Sequence, residues 1–145
     1  MIDNSWAMEV PQTITTIVKT RGQARINDKF PNAYWTEEDR QNVNSIFPTI
    51  FLAYTMSEIG GDLEAQDINA IMLRAEVNVT VTKEQGVQNA RFISGVVMDE
   101  FKRLRFIVQE FPQFKDNTSD LIRLIFRARR VIGQSDIINE NLSDS

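Results

Sequence analysis

"LRAEVNVTV", residues 73–81, constrains the fold more than any other stretch of this chain. Leu73, Ala75, Val77, Val79 and Val81 alternate with Arg74, Glu76, Asn78 and Thr80. Alternation of period two predicts a β-strand with one face buried and the other exposed or covered by a partner. A second strand is predicted at 120–132, around "LIRLIFRARRV". There Ile122, Leu124, Phe126, Ala128, Arg130 and Ile132 point one way, and Leu121, Arg123, Ile125, Arg127, Arg129 and Val131 the other. The first set reads as core, with Arg130 emerging at its end. The second set carries three arginines away from that core.

The remaining segments supply the layers around these strands. Residues 1–10 read as a flexible N-terminal arm, and 134–145 as a mobile tail, leaving one domain over 11–133. Residues 11–29 have helical spacing. Pro11 suits a first helical turn, while Gly22 weakens the helix. "FPNAYWTEEDRQNVNS" at 30–45 reads as a connection with a short strand near Tyr34. "IFPTIFLAYTM" at 46–56 is β-branched and aromatic, as strands are. Residues 57–70 read as a long loop broken by Gly60 and Gly61. Thr82 and Gln85 have capping-box spacing. They open a helix that runs to about Leu104, with Val87, Ala90, Ile93, Val97, Phe101 and Leu104 on one face. "RFIVQEF" at 105–111 is a short strand that Pro112 stops. The order helix-strand-strand-helix-strand-strand predicts an α+β domain. Its sheet is mainly antiparallel and four-stranded, with the helices packed on one face.

With 145 residues the chain can bury a core without a staple, and it contains no cysteine to make one. That fits a reducing compartment. "MIDNSWAMEVP" carries Asp3 and Glu9 where a secretory leader has basic and then apolar residues, so no leader is expected. The longest apolar run, "IFPTIFLAY", is too short to span a bilayer. The net charge of −4 disfavours non-specific binding to DNA or anionic membranes. That charge is unevenly distributed. From Lys102 to Arg130 there are eight basic and three acidic residues, a local balance of +5, which leaves −9 for the rest. Acids gather at Glu37, Glu38 and Asp39, and again at Glu58, Asp62, Glu64 and Asp67. Such a chain can attract copies of itself.

Catalytic chemistry has little to stand on. With neither histidine nor cysteine, the Ser-His-Asp arrangement, the Cys-His nucleophile and the usual zinc ligand sets are excluded. "GGDLEAQD" lacks the spacing of a calcium loop, and Gly60-Gly61 lacks the lysine of a phosphate loop. Asp99 and Glu100 are helix neighbours that do not face each other, and read as a solvated face. No cofactor, metal or catalytic residue is expected.

Chemistry therefore concentrates on Arg123, Arg127 and Arg129. Two readings compete. In one, the arginines lie on a solvated sheet face and pair with acids of the adjacent strand, such as Glu76. In the other, a surface from outside the fold covers them, and their planar forks hold its carboxylates. Glu58, Asp62, Glu64 and Asp67 are the candidate counter-charges on another copy. A nucleic-acid-binding module is a weaker alternative, because the open strand faces offer few aromatics for bases to stack on.

Residues 10–138 resemble the tail completion, or tail terminator, proteins of long-tailed bacteriophages. The matching segments come in order. An N-terminal helix leads into "FPNAYW". Then follow "FPTIFLAYTMSEIGGDLEAQDINAIMLRAEVNVTV", the helix "GVQNARFISGVVMDEFKRLRF", and "FPQFKDNTSDLIRLIFRARRVIG". The family's last strand often opens with Tyr-Arg, where this chain has Ile122-Arg123. The resemblance implies a structural virion protein, a hexameric ring on the head-proximal end of the tail tube. Its implied partners are copies of itself, the major tail tube protein and a head completion or connector protein. DNA would only pass through the ring as cargo. Another head-tail joining protein, from the neck or head-completion class, is the alternative on the same scaffold.

Overall fold

Strands β3 (Ala70–Thr82) and β5 (Leu121–Gly133) pair antiparallel along their full length and form the centre of the sheet. β2 (Thr49–Ile59) lies antiparallel on the other side of β3, and β4 (Ile107–Phe114) antiparallel on the other side of β5. These four strands are the antiparallel set predicted from the sequence. A fifth, β1 (Tyr34–Thr36), pairs parallel with β2, so the sheet is mixed and its order is β1-β2-β3-β5-β4. Helices α1 (Ser5–Ile26) and α2 (Gly86–Arg103) complete an α+β fold. The computed structural model describes residues 5–38, 46–59, 70–115 and 120–136.

One core joins both helices to one face of the sheet. Strand alternation puts Ile50 and Leu52, Leu73 through Val81, and Ile122 through Ile132 on this face, and it buries all the odd-numbered residues of 71–81. Phe101 of α2 meets Phe126 of β5 edge-on, with centroids 6.2 Å apart. Ala90, Ile93, Val97, Phe101 and Leu104 are buried as their spacing predicts, whereas Val87, one turn earlier, is exposed.

A reciprocal Thr82–Gln85 box closes the turn that leads into α2. The Gln85 N–H donates to Thr82 Oγ1 at 3.1 Å, and the Thr82 N–H donates to Gln85 Oε1 at 3.0 Å. The end of α2 is a Schellman turn. The N–H of Phe106 donates to Phe101 O, and that of Arg105 to Lys102 O, while Arg105 takes the left-handed conformation at φ 66°. The Phe101 and Phe106 rings close the turn at 5.0 Å. Arg130 Nη1 then donates to Leu104 O at 2.7 Å, tying the helix end to β5. Burial lowers the Arg130 pKa, against the nearby Asp136 carboxylate.

Four expectations need correction. α1 begins at Ser5, so residues 5–10 belong to the helix and not to a flexible arm. The buried stripe Ala7, Val10, Ile14, Val18 and Ile26 keeps its spacing across Pro11, and packing outweighs the backbone bond that proline forgoes in the second turn. β4 continues through Pro112, because it is an irregular edge strand with register shifts on either side of Glu110, where a missing N–H is tolerated. β2 extends to Ile59, which places Ser57, Glu58 and Ile59 in the sheet. Glu100 is buried, not solvated. Its Oε2 and Oδ2 of Asp99 both accept from Arg25 Nη1, at 2.8 and 2.7 Å, across the contact between the helices. The hydrogen bond to Glu100 raises the Arg25 pKa.

β1 also explains Gly22. A Cβ there would lie 2.8 Å from Cη2 of Trp35, so glycine lets the indole lie against α1. Trp35 Nε1 donates to Gln23 Oε1 at 2.8 Å, fastening the short parallel strand to the helix. Residues 1–4 and 137–145 lie outside the described residues, so most of the expected mobile tail does too.

Candidate functional site

The face of the sheet opposite the helices is organised in cross-strand rows, because residues directly opposite in an antiparallel pair share a face. One row is Ser57, Met72 and Val131. The next is Thr55, Arg74, Arg129 and Ile107. Then come Ala53, Glu76, Arg127 and Glu110, followed by Phe51, Asn78, Ile125 and Gln113. Arg123 lies one row further on, opposite Thr80.

The three predicted arginines share this face but differ in surroundings. Arg127 is clamped. Its Nε donates to Glu76 Oε2 at 3.1 Å and its Nη1 to Glu110 Oε2, so one guanidinium bridges β3, β5 and β4. The bond to Glu110 is the largest cause of its raised pKa. All three side chains are over a third exposed, so each pair contributes only about 0–1 kcal/mol. Arg123 is engaged within the chain as well. For Arg127 the adjacent-strand reading therefore holds, with Glu110 as a second acid.

Arg129 has no such clamp. Its register neighbour on β3 is Arg74, and on β4 it is Ile107. Its Nε is buried and has no hydrogen-bond partner. A buried donor without a partner costs on the order of 1–3 kcal/mol, and like charges directly opposite add repulsion. Arg74 makes one long hydrogen bond, 3.5 Å from Nη1 to Ser57 Oγ. Around the two arginines, Ile107 is 61 % and Val131 48 % exposed. The row thus carries two positive charges and no acid beside an apolar rim.

Glu58 is exposed near the end of β2. Strand alternation turns it toward the helix side, so it does not meet the arginines within one subunit. Asp62, Glu64 and Asp67 lie outside the described residues. Arg74 was missed by the sequence reading, although the alternation of 73–81 places it on this face. Its partnership with Arg129 depends on the register between β3 and β5, which the alternation does not contain.

Elsewhere, a shallow hollow of about 420 Å³ is lined by Glu9, Gln12, Thr13, Thr16 and Ile17 on the outer side of α1. The Thr13 and Thr16 hydroxyls donate back to the carbonyls of Glu9 and Gln12, so they do not converge on a ligand. Among the described residues, no helix is long and apolar enough to cross a membrane. No known family model matches the chain, and no curated protein matches it either.

Proposed function

We propose that this protein is a structural component of a phage virion that caps the head-proximal end of the tail tube as a ring, most simply a hexamer. The reading is carried by the ordered resemblance of its segments to tail terminator proteins. Those segments include β2, β3, α2 and β5, so the likeness spans the core of the fold and is not confined to one motif. The charge layout supports it. A ring needs heterologous contacts, in which one surface of a subunit meets a different surface of the next. A sheet face with an acid-free arginine row, on a chain of net charge −4, supplies two unlike surfaces. In this role the protein binds copies of itself, the tail tube protein and a head connector, and needs neither catalytic residue nor cofactor.

The test is addition of the purified protein to polymerising tail tube protein. Capped tubes should stop growing and carry a ring at one end in electron micrographs. Light scattering coupled to size exclusion should give a ring mass in the presence of tubes. A ring that binds isolated heads and ignores tubes would assign the protein to the neck or head-completion class instead. Tubes that grow unchanged, with no ring on tube or head, would reject both.

A further inference from the structure

The strongest unexplained feature of the molecule is the row Arg74–Arg129. Two rows of the same face, one residue pair apart along the strands, treat their charges in opposite ways. Arg127 sits between two glutamates of its own chain. Arg129 sits opposite another arginine, with its Nε buried and unbonded. We infer that Arg74 and Arg129 form a two-guanidinium clamp for carboxylates on the surface of a second copy of this chain.

Three observations select that occupant. First, copies are acidic where the clamp is basic. Outside the segment 102–130 the chain carries −9, and Glu58 is an exposed acid beyond the reach of its own arginine row. Arginine forks hold carboxylates bidentately, and Arg129 has no carboxylate of its own chain opposite it, only Arg74 and Ile107. Second, the rim is apolar. Ile107 and Val131 are both about half exposed or more, and they would exclude water around the ion pairs. Third, edge-to-edge strand pairing is disfavoured, since Pro112 and the irregular register interrupt β4. A copy would therefore dock by side chains on the face. A nucleic acid fits less well, because Thr55, Ile107, Met72 and Val131 around the two arginines offer no aromatic ring for a base to stack on.

The identity of the partner rests on the ring-forming reading, but the experiment separates the two. Self-association of the full chain is measured by light scattering and sedimentation at low and high salt. The variants are Arg74→Glu/Arg129→Glu and the uncharged Arg74→Met/Arg129→Met, each with a thermal melt. The wild type should associate, less so at high salt, and both variants should melt as it does and associate at least about 30-fold more weakly. If the charge-reversed protein fails to fold, the methionine variant decides. Variants that associate as the wild type does, or a wild type that stays monomeric at every concentration, overturn the clamp. Wild-type binding of an oligonucleotide that is lost in both variants also overturns it, in favour of nucleic acid. Loss of self-association in a protein that never caps tubes keeps the clamp and rejects the tail role. Capping by the variants does the reverse.

Discussion

The two faces of β5 are built from the same thirteen residues but obey different rules. On the helix side, Ile122, Leu124, Phe126, Ala128 and Ile132 are all buried. These five positions are decided by burial, while Arg130 on the same face is held by its bond to Leu104 O. On the open side, Arg127 and Arg129 are two residues apart and equally partial in exposure, yet one is clamped and the other is not. The difference lies in the neighbouring strands. A residue on a buried face is specified by its own polarity and volume. A residue on an open face is specified by what stands opposite it.

The largest expected effect tests the buried face. Phe126 is fully buried and touches Phe101 edge-on, so Phe126→Ala should cost about 3–5 kcal/mol in denaturant unfolding. Its sequence neighbour on the other face, Arg127→Ala, should cost less than about 1 kcal/mol, because the two pairs it loses are exposed. Similar losses for the two variants would abolish the distinction between the faces.

A second test concerns a charge that the helix side does bury. The Glu100 side chain is 2 % exposed, and its Oε1 has no partner, so Arg25 is its main compensation. Removing one partner of a fully buried pair costs about 3–5 kcal/mol; with Arg25 38 % exposed, Arg25→Ala should cost roughly 2–3 kcal/mol. Adding Glu100→Gln should recover part of that loss. A double variant less stable than Arg25→Ala would show that Glu100 is held by contacts other than its charge.

What the sequence disclosed follows the same division. Period two in 73–81 and 120–132, helical spacing in 90–104 and the Thr82–Gln85 box all foretold local structure, because each depends on one segment. What it hid depends on two segments. The short strand near Tyr34 is legible in the sequence, but its parallel pairing with β2 and the seat of Trp35 against Gly22 are not. Glu100 looked solvated until α1 brought Arg25 against it. On the candidate face, alternation places Arg74, Arg127 and Arg129 together, but the opposition of Arg74 to Arg129 and of Glu110 to Arg127 depends on the register.

The third prediction is a pH dependence from the helix side. Tyr54 is mostly buried and shares a 2.7 Å hydrogen bond with Thr15 of α1. Burial pushes its phenol well above the ordinary range, with the Thr15 bond opposing. The unfolded chain releases this proton near pH 10, and the folded chain holds it. Stability should therefore be unaffected by Tyr54 below pH 10, then fall by about 1.4 kcal/mol per pH unit above it. Tyr54→Phe should remove that component of the alkaline slope, as followed by denaturant midpoints from pH 9 to 11. An unchanged slope would mean that the folded phenol ionises as freely as the unfolded one.

The smallest effect separates the two arginine rows. Arg127→Ala removes a bridge between two glutamates and leaves Glu76 and Glu110 facing each other across the strand, so it should be destabilising, though by less than about 1 kcal/mol. Arg129→Ala has the opposite balance. It removes a buried donor without a partner and relieves repulsion from Arg74, while giving up some stem packing on the sheet. Its effect on the lone subunit should lie within about 0.5 kcal/mol of zero and can be stabilising. Raising the salt should narrow the gap, because screening weakens both the attraction in one row and the repulsion in the other. The measurement is a pair of urea titrations at low and high ionic strength on a dilute, monomeric protein. If Arg129→Ala proves the more damaging of the two, the acid-free row supports the subunit's own fold and is not held in reserve for a neighbour.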